Sequence, residues 1–200
     1  MSTDRDAKFE RIAEFLFEVG MLKKTPRTGY QFLGTGKENV AEHSYRTAVI
    51  AYILGDMLDL DCNKILLMAL FHDLHEARTG DFNYVYKRYN TAKEQRALKD
   101  ALKHTGLEEK LIPLLEELEN VDSKEAEIVH DADQLDLILN LKEEMDLGNP
   151  YAEKWIKFAL ERLRTDIGKE LAQKIIETDH TSWWFARINR DWWKKRRRKK

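Results

Sequence analysis

His-Asp-Leu-His-Glu-Ala-Arg-Thr-Gly-Asp, at residues 72 to 81, is the stretch that decides how this chain folds. His72 lies four residues after Met68 and seven after Ile65, so it continues an apolar helical stripe toward the interior. Asp73, its neighbour, follows a stripe of its own. Burying an unpartnered polar group costs free energy, so this pair must meet a partner from elsewhere in the chain.

Two further polar residues interrupt apolar helical faces. His43 stands on a stripe that continues to Leu54, and Asp133 lies four residues after Val129 and four before Leu137. Each residue taken singly is usually a satisfied core histidine or a buried ion pair. The occurrence of all of them in one chain favours a divalent metal site, which forms only if three helices fold together. The predicted ligands are His43, His72, Asp73 and Asp133.

This mixed nitrogen and oxygen ligand set suits Mn, Fe, Co, Ni or Zn better than calcium, with Mg also open. Four ligands leave about two positions of an octahedral ion for water and substrate. The later helix also carries a second pair, His130-Asp131, on flanks away from the stripe that holds Asp133. We therefore expect Asp133 rather than Asp131 to be the ligand.

The composition predicts an all-α fold, a single helical bundle. Only 9 glycines and 3 prolines in 200 residues leave little room for turn-rich β architecture. We expect one domain at residues 1–193, with a core at about 8–165 and a C-terminal helical extension at about 166–193, followed by a disordered basic tail at 194–200. Helices are predicted at about residues 7–22, 39–58, 63–77, 92–104, 108–118 and 122–147.

Three local patterns mark the ends of these helices. Residues 23–37 and the aromatic residues 82–89 are predicted to be loops. Asp122, followed three residues later by Glu125, resembles a capping box and predicts the start of the long helix there.

The single cysteine and the polar first residues indicate where in the cell the protein is expected. The lone Cys62 cannot form an internal disulfide, and the polar first residues contain no apolar segment of a secretory signal, so we expect a cytoplasmic protein. No apolar run approaches the roughly 18 residues of a membrane span, so no membrane partner is expected.

Residues at the C-terminus stand out in charge and in aromatic content. Seven of the 34 basic residues occupy 194–200, which leaves 27 basic against 36 acidic residues in the rest of the chain. Such a tail could bind nucleic acid or anionic lipid, but a solvated tail is the preferred interpretation. Trp183-Trp184 and Trp192-Trp193 are expected to pack in the core or at a dimer contact rather than on a ligand.

Four strings of the sequence resemble the HD-domain 5'-deoxynucleotidases, within the all-helical HD-domain superfamily of metal-dependent phosphohydrolases. The likeness extends over most of residues 8–165. The strings are Pro-Arg-Thr-Gly-Tyr at 26 to 30, Glu-Asn-Val-Ala-Glu-His-Ser at 38 to 44, the opening stretch at 72 to 81, and Asp-Ala-Asp-Gln-Leu at 131 to 135.

The resemblance implies hydrolysis of deoxyribonucleoside 5'-monophosphates to nucleoside and phosphate, with a divalent ion and a homodimer. It implies that the four predicted ligands hold the metal and that Glu76 is the catalytic glutamate. Arg27 would lie near the phosphate, and Asp81 would approach the sugar. Thr28 stands where bacterial members carry tryptophan, and residues 82–84 lack their prolines, so the choice between deoxyribose and ribose stays open, with Tyr30 as a candidate sugar contact.

The spacing agrees with this chemistry, because Glu76 lies four residues after His72 and three after Asp73, on the same helix surface. Our hypothesis is that the metal activates a water and polarises the phosphate, while Glu76 takes a proton and Arg27 donates to phosphate oxygens.

Two rival functions remain. An HD-type nucleoside triphosphate or guanosine tetraphosphate hydrolase would need more basic groups, for which Lys87 and Arg88 are the candidates. A nucleic-acid-binding module with a structural metal would instead use the basic tail, and it predicts strongly salt-dependent binding.

Overall fold

The chain folds into a bundle of helices. The computed structural model describes the backbone of residues 2–185, and this part is all-α as predicted, with one isolated bridge between Pro26 and Asn39. The predicted tail at 194–200 and the last residues of the predicted extension lie outside the described residues. In chain order the helices are α1 (Ser2–Val19), α2 (Tyr30–Leu33), α3 (Val40–Met57), α4 (Cys62–Phe71), α5 (Glu76–Thr79), α6 (Tyr84–Tyr89), α7 (Glu94–Leu102), α8 (Glu108–Asn120), α9 (Lys124–Asp146), α10 (Ala152–Leu160), α11 (Asp166–Glu177) and α12 (Ser182–Phe185), with a 3-10 segment at Gly20–Lys24 after α1.

Helix α9 is the centre of the bundle. It packs against α3, α4, α10 and α11, and its apolar residues are almost fully excluded from solvent on several sides. The main core joins α9 to α3, α4 and α11. A polar residue in the middle of α9 is therefore held close to side chains of at least two other helices. Buried apolar residues of α9 include Ile128, Val129, Ala132, Leu135, Ile138 and Leu141.

Capping side chains fix the starts of the two helices that matter most for the site. Asn39 accepts a hydrogen bond from the Glu42 backbone N–H while the Glu42 side chain accepts one from the Asn39 N–H, a complete capping box for α3. Helix α9 begins after Ser123, whose hydroxyl accepts from the Ala126 N–H. The predicted capping box from Asp122 to Glu125 is thus wrong, because Ser123 is the cap and the third helical residue is Ala126, although the helix starts where expected.

The predicted helix at 63–77 is interrupted at the most informative stretch of the sequence. Helix α4 ends at Phe71, residues 72–75 form a turn, and α5 begins at Glu76. The His72 ring donates from Nδ1 to the Ala69 carbonyl at 2.8 Å. The backbone hydrogen bonds that follow span three residues instead of the four of an α-helix, as from the Leu74 N–H to the Phe71 carbonyl. The His72 side chain therefore occupies a carbonyl that a helical backbone N–H would otherwise use, and the chain forms a turn instead of continuing the helix.

The two predicted loops each contain a short helix. In residues 23–37, Tyr30–Leu33 is helical because Leu33 buries its side chain, and Gly34 ends the helix at φ +80°. In residues 82–89, Asn83 accepts hydrogen bonds from the N–H groups of Val85 and Tyr86, which starts α6. Sequence periodicity does not detect helices as short as these.

The prediction that tryptophans pack in the core is wrong for the pair Trp183-Trp184. Trp183 is 77% exposed and Trp184 is half-buried, so neither fills the core. A role of this pair in a dimer contact stays a prediction, and Trp192-Trp193 lie outside the described residues.

Candidate metal centre and substrate cavity

The four predicted ligand groups converge at one point of the bundle. His43 comes from the first turns of α3, His72 and Asp73 from the turn after α4, and Asp133 from the middle of α9. The Nε2 atom of His43 lies 3.2 Å from His72 Nε2 and 3.1 Å from Asp133 Oδ1. Asp73 Oδ2 lies 3.1 Å from His72 Nε2 and 3.6 Å from His43 Nε2. Two imidazoles and two carboxylates thus point at a common space.

Hydrogen bonds at the far side of each ring set the direction of its lone pair. His72 Nδ1 faces the Ala69 carbonyl, which only accepts, so Nδ1 carries the proton and Nε2 is left as an acceptor. His43 Nδ1 lies 2.6 Å from a carboxylate oxygen of Asp136, which has the same effect. Acceptor atoms facing one another need a cation between them, and this donor set fits a divalent transition metal.

The electrostatics of the group favour bound positive charge. Burial would raise the pKa of Asp73, but the positive charges of His72, His43 and Arg27 hold that pKa well below its usual range. Burial would lower the pKa of His43, yet hydrogen bonds to Asp133 and Asp136 outweigh burial and raise it to about 10. The surroundings of these side chains therefore favour positive charge at the group.

Arg27 reaches this group from the connection before α2. Its Nη1 atom lies 3.3 Å from Asp73 Oδ2 and 3.8 Å from Asp81 Oδ1, and its Nη2 atom lies 4.0 Å from Asp133 Oδ1. Since the guanidinium presents several donors in a plane, it can pair with these carboxylates and with an anionic ligand beside them.

Glu76 lies at the start of α5 and is only 7% exposed. Its Oε2 atom is buried and has no hydrogen-bond partner. Burial, together with the negative charges of Asp73 and Asp81, raises the pKa of Glu76 to about 9. A carboxyl group with an unused oxygen and a raised pKa beside a cation site is a candidate proton carrier.

Asp81 is held by the chain segment that carries Arg27. The Thr28 N–H donates to Asp81 Oδ2 at 2.5 Å, and the Thr28 hydroxyl lies 3.2 Å from the same oxygen. Asn83 donates to the Thr28 hydroxyl from its backbone N–H at 3.1 Å. Thr28 thus ties the arginine segment to the segment after α5, so that Arg27 and Asp81 stay on the same wall.

A cavity of about 240 Å³ adjoins the group and is lined by both charged and apolar side chains. Arg27, Glu76, Asp81 and Lys87 are among its charged lining residues. The predicted sugar contact Tyr30 is also on the lining. The apolar and aromatic lining residues are Tyr30, Leu33, Phe82, Tyr84, Leu137, Leu141 and Trp155.

Comparison with known proteins identifies the family. The family described as HD domain matches residues 19–176, a range that contains all four predicted ligands. The chain belongs to the HD-domain family. A 5'-deoxynucleotidase of Bos taurus is 35% identical over 144 residues, which cover 69% of this chain and 70% of the relative.

Two further proteins resemble this HD domain. A 5'-deoxynucleotidase of Vibrio vulnificus is 30% identical over 149 residues, covering 65% of this chain and 71% of the relative. Among solved structures, a conserved hypothetical protein from Pyrococcus furiosus superposes with a TM-score of 0.68 at 27% identity, covering 83% of this chain and 99% of the other.

Asp131 has a different part in this HD domain from the neighbouring Asp133. Its carboxylate accepts hydrogen bonds from the N–H groups of Arg164 and Thr165 at 2.7 and 2.8 Å, and from the Thr165 hydroxyl. It therefore fastens α9 to the start of α11, away from the metal group. The distinction between the two acids drawn from the apolar stripe agrees with these contacts.

Sequence reasoning missed the polar residues behind His43. Asp136, fully buried on α9, contacts His43 and also accepts from the Arg46 side chain. Glu38 lies 3.7 Å from Arg46. The signal available in the sequence was the spacing of Asp136, three residues after Asp133 on the same helix face.

Among the described residues, no helix is both long and apolar enough to cross a membrane.

Proposed function

We propose that this HD-domain protein is a metal-dependent 5'-deoxynucleotidase that hydrolyses deoxyribonucleoside 5'-monophosphates to nucleoside and phosphate. The observation that carries the proposal is the convergence of two histidines and two aspartates beside Arg27 and the buried carboxyl of Glu76, next to a cavity. The names of relatives at 30 to 35% identity support the same activity.

His43, His72, Asp73 and Asp133 would hold the divalent ion, with Mn, Co, Mg, Zn, Fe and Ni as candidates. The donor set supports this assignment, because both imidazoles direct Nε2 toward two carboxylates whose pKa values are depressed. When bound, such an ion supplies a Lewis acid that activates water and polarises a phosphate oxygen.

The side chains around the ion would carry the rest of the reaction. Glu76 accepts a proton from the attacking water at Oε2, the oxygen that has no other partner. The water oxygen bonds to phosphorus as the bond to the 5'-oxygen breaks, and Glu76 returns the proton to that oxygen. Arg27 donates to phosphate oxygens and offsets their negative charge.

The rest of the cavity lining would contact the nucleoside. Asp81, oriented by Thr28, is the acceptor for a sugar hydroxyl, and Tyr30 lies on the adjoining wall. The lining of leucine and aromatic side chains suits the flat face of a base without selecting one base by hydrogen bonds.

We also propose that the protein is a cytoplasmic homodimer. The outward face of α3 exposes a stripe of large apolar residues, which is unusual for a helix that also contributes to the core. Two copies of this stripe would form a self-complementary contact. Its residues are Tyr45, Val49, Tyr52, Ile53 and Met57.

The test is phosphate release from a panel of deoxyribo- and ribonucleoside 5'-mono- and triphosphates, first with chelator and then with each candidate metal. We expect metal-dependent release of phosphate from deoxyribonucleoside 5'-monophosphates. Activity toward ribonucleotides as well would remove the sugar preference but keep the nucleotidase. Release of pyrophosphate or tripolyphosphate instead would favour the longer-phosphate alternative, for which Lys87 on the cavity lining is the supporting observation.

A further inference from the structure

Asp136 is a carboxylate with no exposure to solvent, one helical turn after Asp133 on α9. Its Oδ2 atom lies 2.6 Å from Nδ1 of His43, which is also fully buried. The two acids therefore hold the His43 ring from both sides, since Asp133 Oδ1 lies 3.1 Å from Nε2. A buried contact this short between an imidazole and a carboxylate is a strong, charge-assisted hydrogen bond.

The other oxygen of Asp136 is also occupied. Oδ1 accepts from Nε of Arg46, which sits three residues after His43 on α3. Arg46 in turn lies 3.2 Å from Glu143 and 3.7 Å from Glu38. Because the guanidinium is planar and donates in a fixed direction, Arg46 restricts the rotation of the Asp136 carboxylate. Asp136 is thus an oriented acceptor rather than a mobile one.

An oriented acceptor at Nδ1 decides what Nε2 can do. The proton of the imidazole stays on Nδ1, and the Nε2 lone pair points toward Asp73, Asp133 and His72. His72 achieves the same result with the uncharged Ala69 carbonyl, so His43 is the histidine whose basicity a carboxylate increases.

We infer that Asp136 is a positioning residue that orients His43 and strengthens it as a metal ligand, with Arg46 holding Asp136 in place. This inference rests on the proposed metal site. The competing explanation is purely structural, in which Asp136 neutralises Arg46 inside the bundle and has no influence on the ion.

The chain offers a matched control for this distinction. Asp131 is equally buried on the same helix, but its hydrogen bonds go to Arg164 and Thr165. Asp136→Asn and Asp131→Asn make the same chemical change, because each replaces a buried carboxyl group by an amide. Only the first substitution alters the partner of His43.

The experiment measures Mn²⁺ and Zn²⁺ affinity of the metal-free full-length protein by competition with a chromophoric chelator. For Asp136→Asn we expect affinity about 10- to 100-fold weaker than in the wild type, and for Asp131→Asn affinity within about twofold of wild type. Equal affinity of Asp136→Asn and wild type would overturn this inference but leave the proposed metal site standing. An equal loss of affinity in both variants would support the structural explanation instead. A wild type that binds neither ion would overturn the metal site and this inference together.

A second measurement needs no substitution at Asp136. Long-range ¹H–¹⁵N spectra of the zinc-loaded wild type, assigned with His43→Gln, report which nitrogen of His43 carries the proton. We expect a protonated Nδ1 with a strongly downfield proton and zinc on Nε2. A proton on Nε2 would refute the inference even if Asp136→Asn failed to fold.

Discussion

Glu76, the proposed catalytic base, is a buried carboxyl group whose ionised form is costly. Its carboxyl is nearly excluded from water and lies near two other acids, Asp73 and Asp81, so the charged form is disfavoured in the absence of a cation. Additional positive charge at the neighbouring ligands would favour the ionised form. The proposed role of Glu76 as a base therefore depends on the metal ion that the neighbouring ligands are proposed to hold.

Replacing Glu76 by Gln should separate catalysis from metal binding. The amide keeps the size of the side chain but cannot take a proton, so kcat for deoxyribonucleoside monophosphates should fall by about 100-fold or more. Bound metal, measured by elemental analysis after gel filtration, should be unchanged. Asp73→Asn is the control and should lose both metal and activity. Full activity of Glu76→Gln would rule out its role as the base.

The raised pKa of Glu76 also predicts how stability depends on pH in the presence of chelator. A carboxyl with a pKa of about 9 in the folded state holds its proton more tightly than in the unfolded state, where the pKa is about 4.5. Its contribution is fully present below the lower value and is lost as pH rises to the higher one. Each pH unit in this window lowers the free energy of unfolding by up to about 1.4 kcal/mol per group.

Thermal melting of wild type and Glu76→Gln at pH 5.5 and 8.5 tests this dependence. The variant should be more stable than wild type, by a margin that grows with pH. His43, whose pKa is also raised, contributes a loss of the same sign to both proteins, so the difference between them reports mainly on Glu76. A margin independent of pH would show that Glu76 titrates normally.

At the scale of elements, the crossing of α3 and α4 sets the distance between His43 and His72. The two helices approach closely at Gly55, where an added Cβ would lie 2.4 Å from Cδ1 of Ile65. Ile65 is fully buried and β-branched, so its side chain has little freedom to move away.

Gly55→Ala should therefore destabilise the protein although alanine favours helix more than glycine does. We expect a loss of about 1–3 kcal/mol from overpacking, which lowers the melting temperature by about 2–4 °C per kcal/mol. Gly20→Ala is the matched control, because a Cβ there meets nothing within 4 Å, and it should be neutral or slightly stabilising. A stabilised Gly55→Ala variant would show that the helices separate at little cost.

At the scale of the whole molecule, the exposed stripe of α3 predicts a homodimer. Val49→Glu and Tyr52→Glu, introduced together, should place charges in the apolar contact and convert the dimer to monomer. Leu147→Glu, at an exposed leucine after α9, is the control and should leave the dimer intact. Sedimentation velocity over a range of protein concentrations gives the mass of each variant. A monomeric wild type would contradict the proposal directly.

The sequence carried enough information to predict the helical bundle, and its four predicted ligands lie close together in the structure. A polar residue on an apolar stripe, such as Asp133 between Val129 and Leu137, must face the interior, and this inference needs only helix periodicity. The same reasoning separated Asp133 from Asp131. It did not reveal the turn at 72–75, because the hydrogen bond from the His72 ring to a helix carbonyl leaves no periodic signal.

Helix spacing was enough to predict an all-α chain with two histidines and two aspartates that face its interior, since burial follows from the spacing of residues along a helix. Three features follow only from the way the helices pack: Asp136 contacts His43, Thr28 ties Arg27 to Asp81, and Glu76 has a buried oxygen without a partner. Periodicity tells which way a side chain points from its own helix. Which side chain it meets depends on where helices far apart in the sequence cross.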